Sequence, residues 1–365
     1  MRLIDLFAGC GGLSLGFERD GHEVCKAVEF DPLIAATYEK NHPRVQMIVD
    51  DIKNVARSGI FHEGEADVII GGPPCQGFSM AGARIRGGFM DDPRNYLFRH
   101  YFEIVRTVRP KMFIMENVKG ITTMKKGEIF QEIQRIFADR ELMGGRAYHI
   151  YSRLIKAVEL GIPQKRERML IIGFLEKEIP FEEKWQEAKE KTEVRYPGFF
   201  EPVTVRDAIG NLGEPTKDGI IANPNPGTPY QEWLSCGNEF LTNHTKTNHS
   251  AQAIERMSQV APGENYTVLD EEIKSVHSGS YGRLEWDAPA ATITTRFDTP
   301  AGGRFIHPIS NRTLTPREAA RIQSFPDDFV FYGNRTSICK QIGNAVPPKI
   351  SYFLSVFAGQ ILEEW

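Results

Sequence analysis

Apolar and polar positions alternate between two textures along the first third of the chain. Short β-rich runs, "LIDLF", "EVCKAVEF", "VQMIV", "ADVIIGG" and "KMFIMEN", are separated by stretches whose apolar residues recur at helical spacing. "GLSLGFERDG" predicts a short helix closed by Gly21, and "PLIAATYEKN" a helix started by Asp31 with Pro32 at its first position, where a missing N–H costs nothing. "YLFRHYFEIVRTV" and "GEIFQEIQRIFADREL" are amphipathic helices. Strands separated by helices predict an α/β fold with a doubly wound, largely parallel sheet, because parallel neighbours need a crossover connection.

In such a fold, ligands bind beyond the carboxyl ends of the strands. Unusual residues fall at those ends: Phe7 to Gly12 after the first strand, Glu29 after the second, Asp51 after the third, Pro74 and Cys75 after the fourth, Glu116 and Asn117 after the fifth. From about Glu176 the texture changes to a region rich in Gly, Pro, Asn and Thr. Order returns at "LTPREAARIQSFP", where Thr315, Pro316 and Glu318 form a capping box, and a last helix follows Pro347 and Pro348. The expected layout is a first domain built from residues 1–175 and 312–365, with a smaller second domain, 176–311, inserted between them.

Composition narrows the class only a little. The chain has 365 residues and a formal net charge of −4, which neither requires nor excludes a nucleic-acid partner. Its five cysteines are scattered, with no Cys-x-x-Cys pair, so neither a disulfide framework nor a metal site is expected. No apolar run is long enough for a membrane span and the start does not resemble a signal peptide, so no membrane partner and a cytoplasmic location are expected.

"DLFAGCGGLSLGF" is a glycine-rich turn between a strand and a helix, with Glu29 placed to accept hydrogen bonds from ribose hydroxyls. A turn serving packing alone is the alternative. Phe7 offers a ring face, Asp51 a polar contact for an adenine edge, and the rim carries more carboxylates than cations. A sulfonium suits this rim better than a pyrophosphate, which favours S-adenosylmethionine over a dinucleotide.

"PPCQGFS" sets Cys75 rigidly at a strand end. A thiolate adding to carbon 6 of a pyrimidine makes carbon 5 nucleophilic, which solves the problem of methylating an electron-poor ring. That addition needs a carboxyl group at ring nitrogen 3 and cations near the sulfur. Glu116 in "MENVKG" is the candidate carboxyl. Arg166 and Arg168 in "QKRERML" are the candidate cations, expected on one side of an extended segment. A salt-bridged glutamate and a solvated strand end are the alternatives.

"DLFAGCGG", "PPCQGFS", "ENV", "QKRER", "LTPREAARIQSFPDDF" and "QIGNAVPP" occur in the order and spacing of the DNA cytosine carbon-5 methyltransferases. The chain resembles a bacterial restriction-modification member of that family over Met1 to Phe174 and Arg312 to Gln360. The resemblance implies that Cys75 is the nucleophile, that Pro74 shapes its turn, and that Glu116 contacts ring nitrogen 3 and the exocyclic amine. It puts Arg168 at the base's carbonyl oxygen, Arg166 near the sulfur, and Gln164 in support of the segment. Phe7, Gly9, Gly11, Glu29, Asp51 and Asn344 match cofactor positions, with Ala8, Gly12, Phe30, Ile52 and Ala345 beside them, and S-adenosylhomocysteine is the implied product.

The resemblance further implies double-stranded DNA as substrate and flipping of the target cytosine out of the stack. Residues 176–311 become a target-recognition domain, in which Arg283, Thr292, Ile293, Arg296 and Arg304 are candidate DNA contacts. Ser79, Arg84 and Arg86 fall in a glycine-rich segment suited to a lid. A monomer and a restriction endonuclease encoded nearby are also expected. An RNA cytosine methyltransferase and a non-catalytic DNA-binding regulator are the competing readings.

Overall fold

Seven strands, β1 (Arg2–Leu6), β2 (Glu23–Glu29), β3 (Gln46–Val49), β4 (Val68–Gly71), β5 (Met112–Val118), β6 (Tyr148–Lys156) and β7 (Glu167–Leu175), form one sheet in the order β3-β2-β1-β4-β5-β7-β6. The first five are parallel. β7 runs antiparallel to β5. Strand β6 adds to the expected set. The computed structural model describes residues 1–74, 96–270, 273 and 278–365.

The order reverses between β1 and β4, which opens the switch point where α/β sheets hold ligands. Apolar residues dominate the central strands: Leu3, Ile4, Ile69, Ile70, Phe113 and Ile114 are all fully buried. Each such side chain contributes roughly 1.5–3 kcal/mol of burial. Helices α1 (Gly12–Arg19), α2 (Pro32–Asn41), α3 (Ile52–Arg57), α4 (Tyr96–Val108), α5 (Glu128–Ala138) and α6 (Phe181–Arg195) accompany the sheet. Asp31 caps α2 as expected, its carboxylate accepting from Leu33 N–H with Pro32 at the first turn.

The chain divides into two compact units. The first comprises Met1–Ile155, Glu167–Arg195 and Ser351–Trp365, and the second Lys156–Arg166 and Tyr196–Ile350. This division differs from the expected 176–311 insert at both ends. Phe181 and Trp185 of α6 stack on each other and pack edge-on against Phe357 and Phe353, so α6 belongs with the first unit.

The second unit holds helices α7 (Val205–Ile209), α8 (Pro229–Leu234), α9 (Ala251–Ser258), α10 (Pro316–Ile322) and α11 (Arg335–Asn344), with a small ribbon of β8 (Ile221–Ala222) and β9 (Phe240–Leu241). The capping box of α10 forms as its sequence predicts, Thr315 N–H donating to Glu318 and Glu318 N–H to Thr315 Oγ1. Residues 312–350 stay in this unit because α10 is bound to it by charge. Arg321 pairs bidentately with Asp327 and also donates to Ala208 and Asn211, while Arg317 donates to the Thr242, Pro326 and Phe329 carbonyls.

The last helix, α12 (Pro348–Leu362), starts in the second unit and continues through the first. Its Ser351 Oγ donates to the Gly12 carbonyl and accepts from Gly16 N–H. Gly16 must be glycine here, since a Cβ would lie 2.1 Å from Tyr352 N.

Breaking a buried ion pair from one side leaves an uncompensated charge. Arg321→Met is therefore expected to cost about 3–5 kcal/mol in urea unfolding, and the double variant Arg321→Met/Asp327→Leu to recover most of that loss.

Candidate active site

The turn after β1 is built from left-handed residues. Phe7 (φ 60), Gly9 (φ 57) and Gly11 (φ 96) alternate with Ala8 and Cys10. For Phe7 this conformation is uncommon and costs strain, of the kind that concentrates at functional sites. Ala8 N–H donates to Val28 O, and Gly11 N–H to Ala8 O. A Cβ at Gly9 would meet nothing within 4 Å, so that face of the turn is open space.

Glu29, at the end of β2, is held from two sides. Its Oε2 accepts from Gly9 N–H and its Oε1 from Asp31 N–H, both at 2.9 Å. Burial raises its carboxyl above the usual range, the two N–H bonds opposing. Each oxygen retains a lone pair for a further donor. Beside it the Phe30 ring is 70% exposed, a large apolar face turned to solvent. Asp51 caps α3 by accepting from Lys53 N–H, and Ile52 behind it is buried.

The second cluster stands on β5 and β7. Their antiparallel register sets Glu116 opposite Leu170 and Val118 opposite Arg168, so the Glu116 and Arg168 side chains share a face. They form an ion pair, Arg168 Nε to Glu116 Oε1, at 2.6 Å, with both side chains largely buried. Glu116 also lies against the turn that precedes Cys75: a Cβ at Gly72 would come to 3.1 Å of Glu116 Oε2. Asn117 Nδ2 donates to Pro73 O at 3.0 Å and ties that turn to β5. Pro74 is exposed. Cys75 lies outside the described residues, as do Ser79, Arg84 and Arg86. Burial pushes the Cys10 and Cys339 thiols up to about 12, so neither offers a thiolate at neutral pH.

Several expected site residues lie in the second unit, where the structure corrects their geometry. β7 begins at Glu167, so Arg166 precedes the strand. Arg166 is 1% exposed and its guanidinium donates to the carbonyls of Ile293, Gly343 and Ala345. Its terminal amino groups brace this backbone, and Cys75, the sulfur it was expected to approach, lies outside the described residues. Gln164 is equally committed, accepting from Ile293 N–H and donating to Gln323. Asn344, at the end of α11, is exposed and Ala345 is partly so.

Of the candidate DNA contacts, Arg283 is a correction. It is buried and donates to the carbonyls of Val260, Met257, His307 and Ser310 and to Asn311, which uses up its donors inside the unit. Ile293 is a second correction: its side chain is fully buried and its backbone is bound to Gln164 and Arg166. Thr292 donates to Lys165 O, and half-buried Arg304 donates to Gly263 O. Arg296 is exposed; its guanidinium donates to Thr299 and lies 3.8 Å from the Asp298 carboxylate, both within its own turn.

Sequence reasoning gave no site role to Gly72, and noted Asn117 at its strand end without one. The signal for Asn117 was its place beside Glu116 at a strand end. Among the described residues no group of three or more His, Cys, Asp or Glu side chains is arranged to hold a metal ion, and no helix is long and apolar enough to cross a membrane.

A family model described as C-5 cytosine-specific DNA methylase matches residues 1–356. The Type II methyltransferase M1.HphI of Haemophilus parahaemolyticus is 36% identical over 355 residues, covering 95% of this chain and 84% of that protein. M.DdeI of Desulfomicrobium norvegicum is 34% identical over 379 residues, covering 97% and 88%. Among solved structures, a DNA modification methyltransferase encoded within an E. coli prophage matches with a TM-score of 0.74 at 28% identity, covering 100% of this chain and 99% of that one. S. pombe Dnmt2 matches with a TM-score of 0.62 at 16% identity over 99% of each chain, a likeness of fold.

Asn117→Ala leaves the buried Pro73 carbonyl without its side-chain donor. Urea unfolding is expected to register about 1–3 kcal/mol of destabilisation, the cost of an unsatisfied buried group.

Proposed function

This chain belongs to the C-5 cytosine-specific DNA methylases and is a DNA (cytosine-5-)-methyltransferase, and on that premise we propose how its own residues divide the reaction. The observation that carries the proposal is the Glu116–Arg168 pair beside the Gly72–Pro74 turn, because it sets a carboxyl group and a guanidinium against the segment leading to Cys75.

Cys75 is the nucleophile, assigned from its motif. Its thiolate forms a bond to carbon 6 of the flipped cytosine, and the electron pair of the 5,6 double bond moves toward carbon 5 and the ring's nitrogen 3 side. Glu116 meets nitrogen 3 and the exocyclic amine and stabilises the charge that builds there. Arg168 has two jobs: its Nε holds Glu116 in place, and the rest of its guanidinium faces the base's carbonyl oxygen. After transfer, loss of the proton from carbon 5 restores the double bond and expels the thiolate. Arg166 and Gln164 act as positioning residues that fix the backbone around Ile293 and Ala345.

The glycine turn of the first unit fits S-adenosylmethionine, which supplies the methyl group when bound. Glu29 accepts from the ribose hydroxyls, the exposed Phe30 ring covers the adenine, and Phe7, Ala8 and Gly9 line the open face of the turn. The start of α1 has no side-chain cap and no acidic residue in its first turn, so its N–H groups suit a carboxylate. Gly11, Gly12, Asp51 and Ile52 complete the assignment in this unit, and Asn344 and Ala345 are assigned to the cofactor from their motif alone. No metal is invoked.

The second unit carries target recognition, with Arg296, Thr292 and Arg304 as its remaining candidate contacts. Double-stranded DNA is the substrate. The Type II relatives support a role in protecting DNA from a restriction endonuclease encoded nearby. We take the enzyme to act as a monomer.

Base-resolution mapping of 5-methylcytosine in a methylation-free bacterium expressing the protein is expected to find methylation at one short motif, and none with Cys75→Ala. Glu116→Gln is expected to lower turnover by roughly 10²–10⁴ while the protein still binds S-adenosylmethionine. Unmodified DNA with well-folded wild-type protein would overturn the assignment. Arg296→Ala is expected to weaken DNA binding and reduce the dependence of log affinity on log salt by about 1, the signature of one lost phosphate contact. An unchanged slope removes Arg296 from the interface.

A further inference from the structure

A chain of buried polar groups under the glycine turn has no part in the reaction as described so far. Asp5 of β1 is 1% exposed. Ser14 Oγ of α1 donates to Asp5 Oδ2 at 2.6 Å, and the same Oγ lies 2.8 Å from the Tyr38 hydroxyl of α2. A hydroxyl has one proton, and Ser14 gives it to the carboxylate, so Tyr38 is the donor in the second bond. The Tyr38 ring lies 4.3 Å from that of His42, which pairs with Glu18 of α1.

The turn rests directly on this chain. A Cβ at Gly11 would fall 2.1 Å from His42 Nε2 and 3.0 Å from Tyr38 Cδ2. Asp5 Oδ1 is buried with no hydrogen-bond partner among the described residues, so the carboxyl is satisfied on one oxygen only. Among the described residues, the titratable groups around Asp5 are Glu18 of α1, Glu29 of β2, Tyr38 and His42 of α2, Cys10 of the turn and Tyr101 of α4. None of them is a lysine or arginine.

We propose that Asp5 is a positioning residue for the methyl donor: through Ser14 and Tyr38 it holds the glycine turn, and when ionised it favours the cationic donor over its neutral product. This inference rests on the reading of the turn as the S-adenosylmethionine site. A carboxylate in a weakly screened interior attracts a sulfonium bound on the turn above it, and attracts the thioether of S-adenosylhomocysteine far less. Burial pushes the Asp5 carboxyl up to about 7, the Ser14 bond opposing and the Glu29 and Glu18 charges adding.

The sign follows. Below that value Asp5 is protonated and exerts no charge; as pH rises through it, Asp5 ionises and donor affinity rises. Binding of the cation must then release a proton to solvent at neutral pH, because binding and deprotonation favour each other.

Calorimetric titration of the full-length protein with S-adenosylmethionine and with S-adenosylhomocysteine tests this, run between about pH 6 and about pH 8 in buffers of different ionisation heat. The comparison is wild type against Asp5→Asn, which cancels each ligand's own titration. The expected difference is a several-fold rise in donor affinity with pH, accompanied by proton release, and little change for the product. Ser14→Ala is expected to move the midpoint to higher pH, since it removes the bond that favours the carboxylate, and Tyr38→Phe to move it less in the same direction.

Equal pH slopes for wild type and Asp5→Asn, or equal wild-type slopes for the two ligands, overturn the inference and leave the cofactor reading standing. Failure of the wild type to bind either ligand overturns both. Should Asp5→Asn not fold, an unmoved midpoint in Tyr38→Phe overturns the inference alone.

Discussion

The register between β5 and β7 decides where the reacting groups of the first unit can stand. With Val118 opposite Arg168 and Glu116 opposite Leu170, the guanidinium and the carboxylate share one face two residues apart, and a slip of one residue would turn them to opposite faces. β7 is the strand that breaks the parallel pattern, and only an antiparallel neighbour could deliver Arg168 to the rim where the parallel strands end. Asn117 and Gly72 then bring the turn before Cys75 to the same place, one by holding the Pro73 carbonyl and the other by leaving room for Glu116.

Buried charge serves as construction material in the second unit. Arg166, Arg283 and Arg317 each direct several donors at backbone carbonyls from separate segments, and Arg321 divides its donors between Asp327, Asn211 and the Ala208 carbonyl. A guanidinium has five N–H donors in a fixed plane and can organise several strands of loop at once, which suits a region with little regular secondary structure.

That same property explains which parts of the molecule were legible in the sequence. The parallel half of the sheet was, because apolar runs, Pro32 and the Thr315–Glu318 box are local signals that local physics obeys. Glu29 and Glu116 were legible because a strand end is a place with a chemical meaning. The buried arginines of the second unit were not. Arg283 and Arg296 look alike along the chain, yet one is enclosed by carbonyls and the other faces solvent, and the difference is made by partners more than twenty residues away. The boundary at Glu176 failed for a related reason: charge-rich α6 reads as a surface segment, while its anchors Phe181 and Trp185 find their aromatic partners on the last helix.

The contact of Gly16 with Ser351 spans 335 positions of chain. During synthesis α1 emerges well before the helix that covers it, which lies some 335 positions later. The first unit must therefore wait on the ribosome with the Gly16 face of α1 uncovered until the second unit has been translated. The order of synthesis thus favours a second unit that folds before the first is closed, and an interrupted chain lacking α12 leaves the floor of the glycine turn unsupported from that side.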